Sequence, residues 1–276
     1  MDALLTYFNE ISSLHRGIIL IGGISFFWFL EGLIPVRRMS YPKWRHALPN
    51  FFFTLTTIVL NFSLAFLLLF TADWVQLHSF GLLHLIEMPL WLFVVTGVLF
   101  LDLIGAYFAH WVEHRVKPLW MVHLVHHSDH YVDTTTANRH HPLESLVRFG
   151  FTLLGVFILG TPIGVVMLYQ SLSVVLSQFN HANIQLPSYV DRWLSYILVT
   201  PHMHKVHHHY VLPYTDSNFG NIFSVWDRLF GTHKNLAAAR IVYGVDVFPN
   251  KEKNAQIGSL LKQPFQPYQR PTEHPE

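Results

Sequence analysis

The chain has 276 residues, 51% of them hydrophobic and only 13% charged; soluble domains carry about 25% charged residues, so this composition excludes an ordinary soluble protein and suits helices in lipid. A formal net charge of +1 leaves no basic field for nucleic acid, and no nucleic-acid-binding module is visible. Cysteine is absent, which removes disulfides, Cys-ligated iron–sulfur clusters and thiolate sites and restricts any metal to nitrogen and oxygen ligands.

In chain order, the first apolar stretch is Gly17 to Val36, with Glu31 as its only charge, and Pro35 marks its end. The second, Phe51 to Phe70, carries no charge, and both have about the 20 residues a hydrocarbon core requires. A third runs from Pro89 to Trp111 with one carboxylate, Asp102, and an acid inside a span flags function. Arg37, Arg38, Lys43 and Arg45 lie between the first two spans, whereas residues 71–88 contain no Lys or Arg. By the positive-inside rule span three then delivers His110 and the residues after it to the cytoplasmic side. The N-terminus has Asp2 and Glu10 in place of a basic leader, so no cleavable signal peptide is expected.

Twenty histidines stand out, fourteen of them between His110 and His209. His110 and His114 (HWVEH) are four apart, about 40° around a helix, so both rings face one point. His123, His126 and His127 (HLVHH) come next at i, i+3 and i+4, and His204, His207 and His208 (HKVHH) repeat that spacing. Between them NRHHPLE reads as a loop over the site, with His141 an extra ligand or a hydrogen-bonded structural residue. The apolar run 150–179 reaches about 45 Å as one helix, too short to cross a ~30 Å core twice. It must nevertheless return His181 (QFNHANI) to the side it left, so a bent or re-entrant hairpin kinked at Pro162 is expected. Asn180 and Asn183 are placed to orient the His181 ring. His202 and His209 turn away from the shared face, as a cap or gate and as a peripheral residue. His15, His46, His78, His84, His233 and His274 have no partner at helical spacing and read as interfacial or surface residues.

His110, His114, His123, His126, His127, His181, His204, His207 and His208 supply nine imidazoles, more than one ion can use, so two metals are implied. Neutral imidazoles leave that charge uncompensated, and Glu113, Asp129, Asp133 and Asp102 are the acids available to offset it. Asp102, eight residues before His110, reads as a residue behind the ligands. The fold class expected is all-α, an integral membrane helical bundle with a cytosolic histidine-rich di-metal cap. Transmembrane helices occupy 1–100 and the histidine boxes 101–232. A polar tail fills 233–276, loosely ordered from Lys251.

Asp102, Tyr107, HWVEHR, HLVHHS, RHHPLE, FNHAN, PHMHKVHH, TDSNFGN (Thr215 to Asn221) and WDRLFGT (Trp226 to Thr232) together resemble the fatty acid hydroxylase superfamily, which includes sterol desaturases and lipid hydroxylases, over Leu101 to Thr232. The resemblance implies that the nine histidines bind two iron ions that activate dioxygen on the cytosolic face. No heme-binding carrier domain is fused to this chain, so electrons are expected from a separate protein. Arg115 follows His114 where the pterin-dependent ether-lipid branch has glutamate, which points away from that branch.

The function expected is hydroxylation or desaturation of an unactivated C–H bond in a lipid or sterol-like substrate. Redox chemistry selects iron over zinc, though a purified sample can carry zinc. Two other classes use the same residues: a transition-metal transporter, whose site would sit at the bilayer midplane, and a catalytically silent protein keeping structural zinc.

Overall fold

Every long apolar stretch becomes a helix in the computed structural model, which describes residues 1–268, because in lipid each backbone N–H and C=O must be satisfied within its own segment. A short helix α1 (Asp2–Asn9) precedes α2 (Ser13–Leu33), whose N-terminus is capped by the Ser12 hydroxyl accepting from His15 N at 3.2 Å. Next come α3 (Lys43–Leu77) and α4 (Leu90–Asp102), the latter running through a π-helical turn (Leu103–Phe108) into α5 (Ala109–Arg115). After these come α6 (Lys117–His127), α7 (Pro142–Leu159) and α8 (Ile163–His181). Four short helices, α9 (Ser188–Leu194), α10 (Pro201–His207), α11 (Val225–Leu229) and α12 (Ile257–Lys262), complete the described chain.

Five segments, α2, α3, α4 with α5, α7 and α8, are long and apolar enough to cross a bilayer. On α3 the residues Phe62, Phe66 and Phe70, spaced four apart, are 80%, 63% and 69% exposed. That stripe is tolerable only against lipid, and the chain is an integral membrane protein. Inside the bundle Leu68, Val98, Leu101, Val156 and Val165 pack into the main apolar core.

Two helices extend beyond the spans read from hydropathy, for one reason: hydropathy marks the hydrocarbon-embedded part, and hydrogen bonding carries the helix further. α3 begins eight residues before Phe51, and the added turns bring His46 and Asn50 into the histidine layer. The run 150–179 is not a re-entrant loop. Its helices continue into polar residues at Pro142 and His181, giving arms of 18 and 19 residues, about 27 and 28 Å long. The reversal rests on Gly160, left-handed at φ 75°, where a Cβ would lie 2.1 Å from the Phe80 carbonyl oxygen. The chain therefore returns, as parity requires, to the end it left.

At that end the helix termini are tied together. Asn183 N, after α8, donates to Glu31 Oε1 of α2 at 2.9 Å, and Asn50 Nδ2 of α3 donates to Thr135 at 2.9 Å. The segment from Lys251 is packed rather than loose over its described part. Leu260 is fully buried against Phe53 and Val125, and the Asn254 carbonyl accepts from Arg139. The rest of the tail, residues 269–276 with His274, lies outside the described residues. Leu260→Ala is therefore expected to cost about 2–4 kcal/mol, read as a lowered midpoint in thermal denaturation of the detergent-solubilised protein; a detached tail would leave the midpoint unchanged.

Candidate metal centre

The nine predicted histidines are all buried and fall into two groups. His110, His114, His123, His127 and His207 form one, and His126, His181, His204 and His208 the other, with the ligand-capable nitrogens of each group within 4.8 Å of one another. The division follows helix phase. In α6 the i and i+4 rings, His123 and His127, join the first group and the i+3 ring, His126, the second. The box on α10 does the reverse: His204 and His208 join the second group, and His207 crosses to the first. Each three-histidine box therefore straddles both groups and fixes their separation.

Hydrogen bonds determine which nitrogens face inward. His110 Nδ1 donates to the Phe219 carbonyl at 2.8 Å, His207 Nδ1 to Ser217 O at 2.6 Å and His181 Nδ1 to Ser177 O at 2.7 Å. His123 Nδ1 donates to Glu144 Oε1 at 2.7 Å, and His114 Nδ1 to Asp216 Oδ1 at 3.2 Å. A carbonyl or carboxylate acceptor requires the proton on Nδ1, which leaves a bare lone pair on Nε2. Two such lone pairs, of His110 and His123, face each other 3.1 Å apart. In the second group His181 Nε2 lies 3.1 Å from His126 Nε2, 3.0 Å from His204 Nε2 and 3.2 Å from His208 Nε2. His114 Nε2 and His207 Nε2 are buried without a protein partner. Opposed lone pairs repel unless a cation lies between them. Nitrogens about 2.1 Å from one ion would sit roughly 3.0–3.4 Å apart. The two groups fit a di-metal site.

A family model for fatty acid hydroxylase matches residues 93–232, half of the chain and all nine of these histidines. The chain belongs to the fatty acid hydroxylase family. Among curated proteins it is 28% identical to ornithine lipid hydroxylase OlsE of Rhizobium tropici, over 54% of this chain and 44% of that protein. It is 29% identical to alkylglycerol monooxygenase of Danio rerio, over 59% of this chain and 35% of that one. A very-long-chain aldehyde decarbonylase of Oryza sativa subsp. indica is 26% identical over 59% and 61%. The chain thus spans less than half the length of the first two relatives. No solved structure matches it.

Behind the ligand layer of this fatty acid hydroxylase family member stands a second layer, only part of which the sequence announces. Asp102 touches none of the nine rings. Its carboxylate accepts from Ile222 N at 3.2 Å, Phe223 N at 3.1 Å and Trp226 Nε1 at 3.1 Å. Asp227 accepts from Phe219 N at 2.7 Å and Gly220 N at 2.9 Å. Two acids thus hold the loop whose carbonyls orient His110 and His207, which explains why TDSNFGN and WDRLFGT accompany the boxes. Gly220 is required there, because a Cβ would lie 2.8 Å from both Asp227 Oδ2 and the Phe223 carbonyl.

His141 takes the structural alternative: it stands outside both groups and caps α7, its Nδ1 accepting from Leu143 N at 3.2 Å, because Pro142 begins a helix that needs a cap. Other expectations are corrected. Asn180 and Asn183 do not orient His181; they bind Asn221 and Arg37, and Ser177 O takes the ring. Asp129 and Asp133 pair instead with His46, at 2.8 Å and 3.2 Å; that ring, read as interfacial or surface, is only 9% exposed. Besides Asp216 on His114, the acids that reach the rings are Glu113, already among those named from the sequence, and Glu144, the two bridged by Arg148 at 2.7 Å and 3.1 Å; the signal for Glu144 in the sequence is its i, i+4 spacing to Arg148 after the RHHP turn. Of the two rings turned aside, His209 is buried with its Nδ1 accepting from Val242 N at 3.0 Å, and His202 meets Asn235 at 3.1 Å.

Burial, reinforced by neighbouring rings, holds His123, His126, His127, His204 and His207 well below the ordinary imidazole range, and burial pushes His208 down to about 3. In the folded metal-free protein these rings are neutral, whereas in the unfolded chain each takes up a proton near pH ~6.5. The unfolded state therefore binds more protons as pH falls, and stability is lost downward from about pH 6.5. Thermal midpoints of the metal-stripped protein are expected to fall steadily between pH 7.5 and 5.5; a flat profile would mean that the rings are not buried as a group.

Proposed function

We propose that the protein is a membrane-bound di-iron oxidoreductase that uses dioxygen to hydroxylate or desaturate an unactivated C–H bond of a lipid or sterol-like substrate. The observation that carries this reading is the convergence of Nε2 atoms in two buried groups of five and four imidazoles, with the bare lone pairs of His110 and His123 facing each other in the first. The nine rings are the proposed ligands. Five ring donors exceed the closed four-coordinate set usual for structural zinc, and iron held there would supply the redox and dioxygen chemistry that zinc lacks.

The chain's own residues keep the nine rings neutral, aim Nε2 inward and exclude water. Glu144, joined to Glu113 through Arg148, brings negative charge next to His123 and supports its ring from behind. The site lies at the ends of the spans rather than at their midpoints, which favours a substrate carbon entering from the bilayer over transport of an ion through it. The basic residues Arg37, Arg38, Lys43 and Arg45 at this end support a cytoplasmic orientation, where a separate electron-donor protein can dock. The names of the relatives, covering ornithine lipids, alkylglycerols and very-long-chain aldehydes, support a lipid substrate.

Comparative lipid profiling of cells with and without the gene, in air, together with metal analysis of the purified protein, tests the proposal. A product requiring oxygen and about two iron ions per chain are expected. His126→Ala should abolish the product and remove one of the two ions; a product at wild-type level would refute the site assignment. Glu144→Gln keeps the shape but weakens the support of His123, and is expected to lower metal affinity about 10–100-fold, measured by competition with a chelator.

A further inference from the structure

A cavity lies beside the histidine layer and is not lined by any of the nine rings. Its volume is about 460 Å³, within the range of small-ligand sites. Two of its walls are the segments that follow spans. Val36 and Arg37 come directly after α2, and Ile184 to Leu186 after α8. These segments pair with each other, Val36 N donating to Asn183 O at 3.2 Å and Gln185 N to Ile34 O at 2.8 Å. The cavity therefore opens at the depth where hydrocarbon gives way to head groups.

The third wall, α9, confirms that depth. Ser188 and Asp191 line the cavity, while Tyr189 and Trp193 on another face are 69% and 68% exposed. Tyr and Trp turned outward in this way belong to the interfacial belt of a membrane protein.

Inside, the charge is predominantly positive. Lys205, on α10, is 2% exposed, and no ion pair involving it is found among the described residues. Its ammonium donates to the carbonyls of His181 and Ala182, leaving the third of its three donors uncommitted. Arg37 Nη2 donates to Ala238 O and Ile241 O at 3.3 Å and 2.9 Å, so its Nε and Nη1 face remains available in the planar fork that suits phosphate. Asp191 is the one acid of the lining. Glu31, Asp133 and Asp191 act on the Lys205 ammonium from beyond ion-pair distance, and an anion between Lys205 and Arg37 would meet it directly.

We propose that this cavity binds the phosphate-bearing head group of a membrane lipid, with Arg37 and Lys205 on the phosphate and the acyl chains leaving between α2, α8 and α9 into the bilayer. The site is independent of the oxygenase reading, although Lys205 connects it to the backbone of His181 and adjoins His204.

Binding of a short-chain fluorescent phosphatidylglycerol to the detergent-solubilised full-length protein tests the site. Arg37→Gln removes the fork. Ala239→Trp, at an exposed alanine of the lining, fills the space and spares both cations, so it keeps the test valid if Arg37→Gln does not fold. Each is expected to weaken binding at least about tenfold with metal content unchanged. The matching diacylglycerol, and inorganic phosphate in large excess, should fail to displace the probe. Unchanged affinity in Ala239→Trp, equal displacement by diacylglycerol, or full displacement by inorganic phosphate would each overturn the proposal.

Discussion

Imidazole lone pairs set 3.1 Å apart in a dry interior, as those of His110 and His123 are, repel one another, and the rest of the structure exists to hold them there. Five of the nine rings, those of His110, His114, His123, His181 and His207, are pinned from behind. Where a carbonyl or carboxylate takes Nδ1–H, the tautomer is fixed, the ring cannot flip to relieve the repulsion, and Nε2 stays aimed at its group. The strain is bearable because a cation converts it into attraction, so the fold is organised around a charge supplied from outside the chain.

That organisation explains the distribution of acids. Carboxylates do not point at the clusters; they sit one layer out. Glu144 supports His123, Asp216 supports His114, and Asp102 and Asp227 bind the backbone of the loop that supports His110 and His207. An outer layer of this kind makes ligand geometry depend on residues more than 100 positions away in sequence, as in the pairs His110 with Phe219 and Asp102 with Ile222. The layer resembles in logic, though not in detail, the support of any metal-bound histidine by an outer acceptor.

The membrane sets the other boundary. The segments that leave the apolar helices pair with one another and cap the helices that follow, beside the histidine layer. Here the proposed head-group cavity and the buried histidine layer come within one helix of each other, since α10 carries both Lys205 and His204. A protein acting on lipid needs that proximity, because its substrate cannot leave the bilayer without exposing its chains to water.

Helix count, the hydrocarbon-embedded parts of the spans and all nine clustered histidines were legible in the sequence, because they are local properties: hydropathy follows from neighbouring residues, and i, i+3, i+4 spacing makes rings share a helix face whatever surrounds it. Parity even recovered the return of His181. The partition into groups of five and four was not legible, since it depends on how α6 and α10 are rotated against each other. The roles of Glu144, Arg148 and His46 also escaped, as did the partners of Asp102, which was read only as standing behind the ligands, and the ordering of the segment around Leu260. Each of these is set by a partner distant in the chain, and a carboxylate in a sequence does not say whether it will meet a metal, a ring nitrogen or a row of backbone amides. The sequence by itself determined which side chains could bind metal and that they would gather together; tertiary packing alone decided which of them share a group, because that choice is made by the relative orientation of helices and not by spacing within them.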